Sequence, residues 1–273
     1  MTMKTIKRIL GIVCLLLGAS VTQAQSDFGV WTSLEGSTKL NKKWELSLEG
    51  EYRTQDMSSM TERVSGAVNL SYKDKKVPFL KADVGYTFMY MNYPGETNIK
   101  YQEDDNGLLT EVPKHMNVDA PYWTARHRLT ASLTGTLKWS RFKLSLRERY
   151  QYTYRMPSQC ERERFYYDPA FGRWNEVPEL LVDEKTAKSD HKLRSRFSVT
   201  YDIKKSPFEP YAEVELYNQL DESFAFDKVR YTVGTAYKIN KEHKLKVYYR
   251  YQDYFDASDV DCHVFGMSYA FEF

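Results

Sequence analysis

Imidazole beside a hydroxyl and a carboxylate is the commonest way to activate a nucleophile, so the histidines come first. They are His115, His127, His191, His243 and His263. His127, His191 and His263 open segments with strand periodicity, and Ser189 and Asp190 stand beside His191. Adjacent residues of a strand point to opposite faces, so this cluster is no ready triad. There is no Gly-Xaa-Ser-Xaa-Gly elbow, no HExxH pair and no phosphate-binding glycine loop. Cys160 and Cys262 could form one disulfide or remain two thiols, and their spacing suits no metal by itself. The expectation is no catalysis, no cofactor and no metal.

The charged residues are better organised. Glu45, Glu49 and Glu51 alternate on one face with Arg53, and Glu213 and Glu215 share another. Arg126, Arg128, Arg147, Arg149, Arg194 and Arg196 form a basic sector over three successive segments. Lys244, Lys246 and Arg250 add a second. Such ladders have two readings. Facing one another inside a narrow space, they would pair and fill it, because buried charges must be paired or hydrated. Left open, the arginine sector would draw a small anionic solute.

These charges must be held by something, and the holder is a run of strands. Arg141–Met156 puts Arg141, Lys143, Ser145, Arg147, Arg149, Gln151, Thr153 and Arg155 on one side. Its other side carries Phe142, Leu144, Leu146, Glu148, Tyr150, Tyr152, Tyr154 and Met156. Period two with one apolar face is the mark of a strand between unlike media. Ten further segments repeat it: Phe28–Leu40, Trp44–Gln55, Arg63–Lys73, Phe79–Tyr90, Trp123–Trp139, His191–Asp202, Phe208–Leu220, Lys228–Ile239, His243–Tyr254 and Val260–Phe273. Most are long enough to cross a membrane when tilted. Glu148 is the exception on the apolar side, and either an interfacial depth or a local bulge would accommodate it.

The chain opens with Lys4, Lys7 and Arg8, an apolar run from Ile9 to Ala19, and Thr22-Gln23-Ala24. That is the plan of a cleaved export signal over residues 1–24, leaving a single domain over 25–273. Its apolar run is half of the ~20 residues a spanning helix needs. The aromatic content is high, with 22 Tyr, 14 Phe and 5 Trp, as in strands that cross membrane interfaces. A formal net charge of +2 argues against nucleic acid as a partner.

The expected fold is all-β: an antiparallel up-and-down transmembrane barrel. Turns such as Asn41-Lys42-Lys43 and Asn240-Lys241-Glu242 lie on one rim, and the long connections Met91–Tyr122 and Pro157–Asp190 lie on the other. In a bacterial outer membrane that predicts periplasmic turns and extracellular long loops. Eleven strands are counted, yet a bacterial barrel with both ends in the periplasm needs an even number. Ten strands, with Phe28–Leu40 no true strand, or twelve, with one missed, both meet that rule. A third repair threads residues 25–30 up through the lumen. Gly66, Gly85, Gly135, Gly234 and Gly266 sit inside strands, where they would permit curvature.

Asp27-Phe28-Gly29-Val30-Trp31-Thr32-Ser33-Leu34 and the stretch Leu40–Arg53 resemble a Bacteroidetes family known as domain of unknown function 2490. Leu144–Tyr152 and Tyr248-Tyr249-Arg250-Tyr251-Gln252 are similar to its later strands. The resemblance implies an exported outer-membrane barrel and brings no catalytic residues. The terminal ladder Phe265, Met267, Tyr269, Phe271 and Phe273 also resembles the signal read by outer-membrane assembly machinery. Expected partners are therefore outer-membrane lipid, that machinery and a small anionic solute. The expected role is a structural barrel or a narrow solute channel with a salt-bridged lumen. Its alternatives are a receptor barrel that binds through its loops and a lipid-modifying enzyme.

Overall fold

The computed structural model describes residues 26–104, 107–221, 224–256 and 260–273. The export signal expected over 1–24, and its cleavage site, lie outside the described residues. Among the described residues all regular structure is β: β1 (Asp27–Lys39), β2 (Trp44–Gln55), β3 (Met60–Tyr72), β4 (Leu80–Tyr93), β5 (Thr97–Glu103), β6 (Leu109–Asp119), β7 (Tyr122–Trp139) and β8 (Phe142–Arg155). There follow β9 (Ser158–Asp168), β10 (Arg173–Trp174), β11 (Glu179–Lys185), β12 (Lys188–Tyr201), β13 (Phe208–Gln219), β14 (Phe226–Lys238), β15 (His243–Tyr254) and β16 (Cys262–Glu272). Among the described residues no helix is long and apolar enough to cross a membrane, which says nothing of crossing by strands.

Eleven strands close a barrel in the order β1-β16-β15-β14-β13-β12-β8-β7-β4-β3-β2. Neither ten nor twelve is correct. The even-number rule assumes that the first and last strands meet antiparallel; an odd number closes only if they run the same way. They do: β1 pairs with β16 in parallel, from Asp27 opposite Cys262 to Ser37 opposite Glu272. The seam is reinforced where Ser33 Oγ donates to Ser268 Oγ at 2.9 Å and Phe273 N donates to Ser37 O at 2.9 Å. The first segment is thus a true strand. It starts at the long-loop rim, where the Asp27 carboxylate accepts from the backbone N–H of Asp56 and Met57 in the β2–β3 turn. Those two residues and Ser58 have positive φ, a conformation that such side-chain acceptance helps to hold.

The tight turns explain why Leu40-Asn41-Lys42-Lys43-Trp44 echoes Ile239-Asn240-Lys241-Glu242-His243. Asn41 Oδ1 accepts from the N–H of Lys43 and Trp44 at 2.8 and 3.0 Å. Asn240 Oδ1 accepts from Glu242 and His243 at 2.8 and 2.7 Å. Each asparagine substitutes for a backbone acceptor in a turn too sharp to supply one. Asn240→Ala should therefore cost about 1 kcal/mol of stability. A urea midpoint unmoved by N240A would refute that role for the side chain.

The two long connections are not loops, contrary to expectation. Met91–Tyr122 contains the hairpin β5–β6, and Pro157–Asp190 contains β9 and β11. They join in one small sheet beyond the barrel strands: β5 pairs with β6, β6 with β9, and β9 with β11 and β10. Cys160 lies on β9 and Cys262 on β16, and both are free thiols.

The barrel's polarity is the reverse of a water-soluble core. Leu34, Leu48, Val84, Leu129, Leu133, Leu137, Leu146 and Val233 are each more than half exposed on its outer face. Arg63, Glu215, Gln151, Thr153 and Gln252 are buried within. Glu148 stays outward, because β8 runs beside β7 and β12 with no register shift. The bulge considered above is absent; instead Ser195 Oγ donates to Glu148 Oε2 at 2.6 Å.

Candidate functional site in the barrel lumen

Alternation along the strands turns all fifteen charged ladder residues toward the lumen. Glu51 accepts from Arg53 and Arg63, with closest approaches of 2.6 and 2.8 Å. Across the lumen, Glu215 accepts from Arg147 at 2.7 Å, from Arg194 at 3.0 Å and from Tyr217 Oη at 3.0 Å. Arg147 and Glu215 reach each other over the intervening strand β12. Arg196 pairs with Glu213 at 3.4 Å, and Lys244 with Glu209 at 3.1 Å. Arg250 donates to Thr232 Oγ1 at 2.9 Å. Among the described residues, Glu45, Glu49, Arg126, Arg128, Arg149, Lys246 and Arg250 form no ion pair.

Four contributors escaped the sequence reading: Trp31, Arg63, Tyr217 and Arg230. Trp31 is buried, with Arg53 3.4 Å from its ring centre and Arg250 and Arg230 at 5.1 and 5.3 Å. Stacking guanidinium on indole packs charge without requiring a carboxylate for each cation. Tyr217 similarly receives Arg194 at 4.5 Å and Arg230 at 4.6 Å. The signal was available: Trp31 shares its face with Ser33 and Glu35, and Tyr217 continues the Glu213-Glu215 ladder. Both were aromatics on a polar face, which an apolar-versus-polar division passes over.

Tyr248 shares the lumen face of its strand with Lys246 and Arg250. It stands between Gly234 and Gly266 in register, and its ring lies where a Cβ at Gly266 would be. These two glycines make room for a neighbouring ring. Gly66 and Gly135 face outward into open space.

The histidines lie elsewhere. His127, His191 and His263 sit on the outer face, each opposite an aromatic on the neighbouring strand: Phe88, Tyr152 and Tyr251. Each ring Nδ1 also meets a tyrosine hydroxyl two residues along, namely Tyr86 at 2.8 Å, Tyr150 at 2.6 Å and Tyr249 at 2.5 Å. His243 repeats the pairing with Tyr269 at 2.7 Å. Ser189 and His191 are two residues apart and share this face, a relation that attention to Asp190 obscured. The Ser189 hydroxyl is engaged by Tyr152 at 3.2 Å, and Asp221 lies 3.9 Å from His191 Nε2.

The small outer sheet has its own buried polar cluster. Asp119 accepts from Arg162 at 2.5 Å and from Lys185 at 2.8 Å. Asp183 takes Arg162 and Lys185 at 2.8 Å each. Asp119, Cys160 and Asp183 converge within 4.8 Å, as metal ligands would. Here, however, two cations already occupy the carboxylates, and burial pushes the Cys160 thiol up, away from the thiolate a metal needs. The hydrogen bond from Arg162 is the main reason the Asp119 carboxyl is held down at about 2. A depressed carboxyl contributes stability that is present above its unfolded value and lost as pH falls through the folded one. The sheet should therefore loosen between about pH 4 and pH 2. Asp119→Asn should loosen it at neutral pH by roughly 2–3 kcal/mol. Amide exchange over 158–185 reads both, and an acid-insensitive exchange profile would exclude the linkage.

The model of the family described as Protein of unknown function (DUF2490) matches residues 28–262, from the first barrel strand to the start of the last. The chain belongs to that family. No curated protein matches it. The match takes in the barrel strands from β1 to β15 and brings no reaction, so function rests on the lumen.

Two hollows bear on that question. One, about 630 Å³, lies at the base of the β9–β11 hairpin between Pro157–Gln159 and Glu184–Ala187. Its one cation, Lys185, is already bound to Asp119 and Asp183. The other, about 200 Å³, lies in the lumen at its long-loop end, above the Glu51 and Glu215 clusters. Eight lysines and arginines line it, against two carboxylates, Glu62 and Asp190.

Proposed function

We propose that this family member is an outer-membrane barrel that binds within its lumen and does not conduct through it. The outer face supports the location: a belt of leucine, valine and phenylalanine, with tyrosine–histidine pairs placed as an interfacial girdle. Outer-membrane lipid and the assembly machinery are the corresponding partners. The rim carrying the extra sheet would face outward and the tight turns the periplasm. The histidines are assigned to the girdle, with no catalytic step.

One observation carries the closed lumen. Glu51 with Arg53 and Arg63, and Glu215 with Arg147 and Arg194, occupy facing walls, and Trp31 is packed among guanidiniums. Opening a water column would require pulling these groups apart, and a buried pair resists loss of a partner by several kcal/mol. The purified, folded barrel should be electrically silent in a planar bilayer under both polarities. Discrete conductance steps from the unaltered protein would overturn the closed reading and favour a narrow anion channel.

A further inference from the structure

The lumen hollow at the long-loop end is more basic than its own salt bridges require. Arg53, Arg63 and Arg194 are engaged by Glu51 and Glu215. Lys192 is held by Asp227 at 3.0 Å and by Asp190 at 3.9 Å. Arg230 donates to Gln252 Oε1 at 2.5 Å and to the Tyr217 hydroxyl. Arg126 and Arg128, on β7, have neither a carboxylate nor two such acceptors among the described residues. Arg126 lies over the Tyr93 ring at 5.1 Å and meets no carboxylate among the described residues. Its Nε is buried with no hydrogen-bond acceptor. Arg128 gives its Nε–H to Thr153 Oγ1 at 3.4 Å and likewise forms no ion pair among the described residues. Both line the hollow with Gln151, Thr153 and Gln252.

Two guanidiniums lining a polar hollow open toward the long-loop end, with donors left over, constitute a receptor for an oxyanion. Their planar forks donate in pairs to phosphate or carboxylate oxygens. Several cations converge from opposite walls, which suits a tetrahedral group carrying more than one charge. At about 200 Å³ the space is below the range of pockets for drug-sized ligands, so the guest is compact. The surrounding strands exclude a lipid headgroup from the side. We propose that this hollow binds a small phosphate-bearing solute, entering from the long-loop end, with Arg126 and Arg128 as its principal contacts. The proposal rests on the closed-lumen reading, in which the guest is held at the hollow and not passed on through the barrel.

The test is isothermal titration of the full mature barrel, folded in detergent, with inorganic phosphate and pyrophosphate, and with citrate as the carboxylate arm. Phosphate or pyrophosphate should bind, weakening with salt, and citrate should bind at least about tenfold less well. Arg126→Gln and Arg128→Gln should each weaken binding about tenfold, while Lys244→Gln, in the tight-turn half of the lumen, should leave it unchanged. Folding of each variant is read from its heat-modifiable gel band. Should neither arginine variant fold, protection of Arg126 and Arg128 from an arginine-specific reagent by pyrophosphate, read by mass spectrometry, decides the matter. Absence of binding in a folded, silent barrel would overturn the proposal while leaving the closed lumen intact. Equal binding of citrate, or unchanged binding in both arginine variants, would also overturn it. Conductance by the unaltered protein would instead remove the reading beneath it.

Discussion

Glu215→Gln should be the most damaging single substitution in the lumen, costing about 3–5 kcal/mol of stability. The side chain is only 6% exposed, and it satisfies Arg147, Arg194 and the Tyr217 hydroxyl at once. Glutamine keeps the shape but removes the charge, and its amide group turns N–H donors toward guanidiniums that already have none to spare an acceptor for. The loss is large because two buried cations keep their desolvation cost after their attraction is gone. The measurement is the urea midpoint of the folded barrel in detergent, with a bilayer recording on the fraction that folds. Lys39→Gln serves as the contrast. It breaks the exposed Lys39–Glu272 pair at the seam, which water screens, and should leave the midpoint nearly unmoved. A Glu215→Gln barrel as stable as Lys39→Gln would mean the arginines are hydrated and the lumen is open.

The second large effect is all-or-none. An epitope placed just ahead of Asp27 and one placed after Phe273 should appear on opposite sides of the membrane. The parallel seam dictates this: β1 and β16 run together, so the start of one and the end of the other lie at opposite rims. Antibody applied to intact cells should label the Asp27 epitope and miss the Phe273 epitope until the outer membrane is permeabilised. Labelling of both from one side would break the seam, because no odd-stranded up-and-down barrel allows it. Labelling of Phe273 alone would keep the seam and invert the orientation.

Much of this molecule is legible in its chain because strand amphipathicity is local. A residue's face is decided by its parity within one segment, so Arg126, Arg147 and Arg194 could be placed on one side without knowledge of their neighbours. Turn chemistry is local too, and the two asparagine turns were visible as an echo. The outer sheet was harder to read. β9 opens on the charged run Glu161-Arg162-Glu163-Arg164 and gathers its aromatics in the consecutive Phe165-Tyr166-Tyr167, and β11 runs Leu180-Leu181-Val182 together, so neither shows the long apolar-polar alternation of the barrel strands. A short strand whose charges and apolar residues come in blocks reads as a polar loop.

Sequence by itself determined the all-β class, the apolar and charged faces, the tight-turn rim and the family. Tertiary structure decided strand number and partnership. Whether β1 joins β16 depends on two segments some 235 positions apart meeting in parallel, as Ser33 and Ser268 do. It likewise decided which cations are satisfied. Arg128 and Arg147 face the same lumen from neighbouring strands, but in register Arg128 lies opposite Thr153 and Arg147 opposite Thr134, so Glu215 reaches Arg147 over β12 and leaves Arg128 facing the hollow. Parity fixes a side chain's face, but pairing across a lumen depends on closure, and closure is a property of the whole chain.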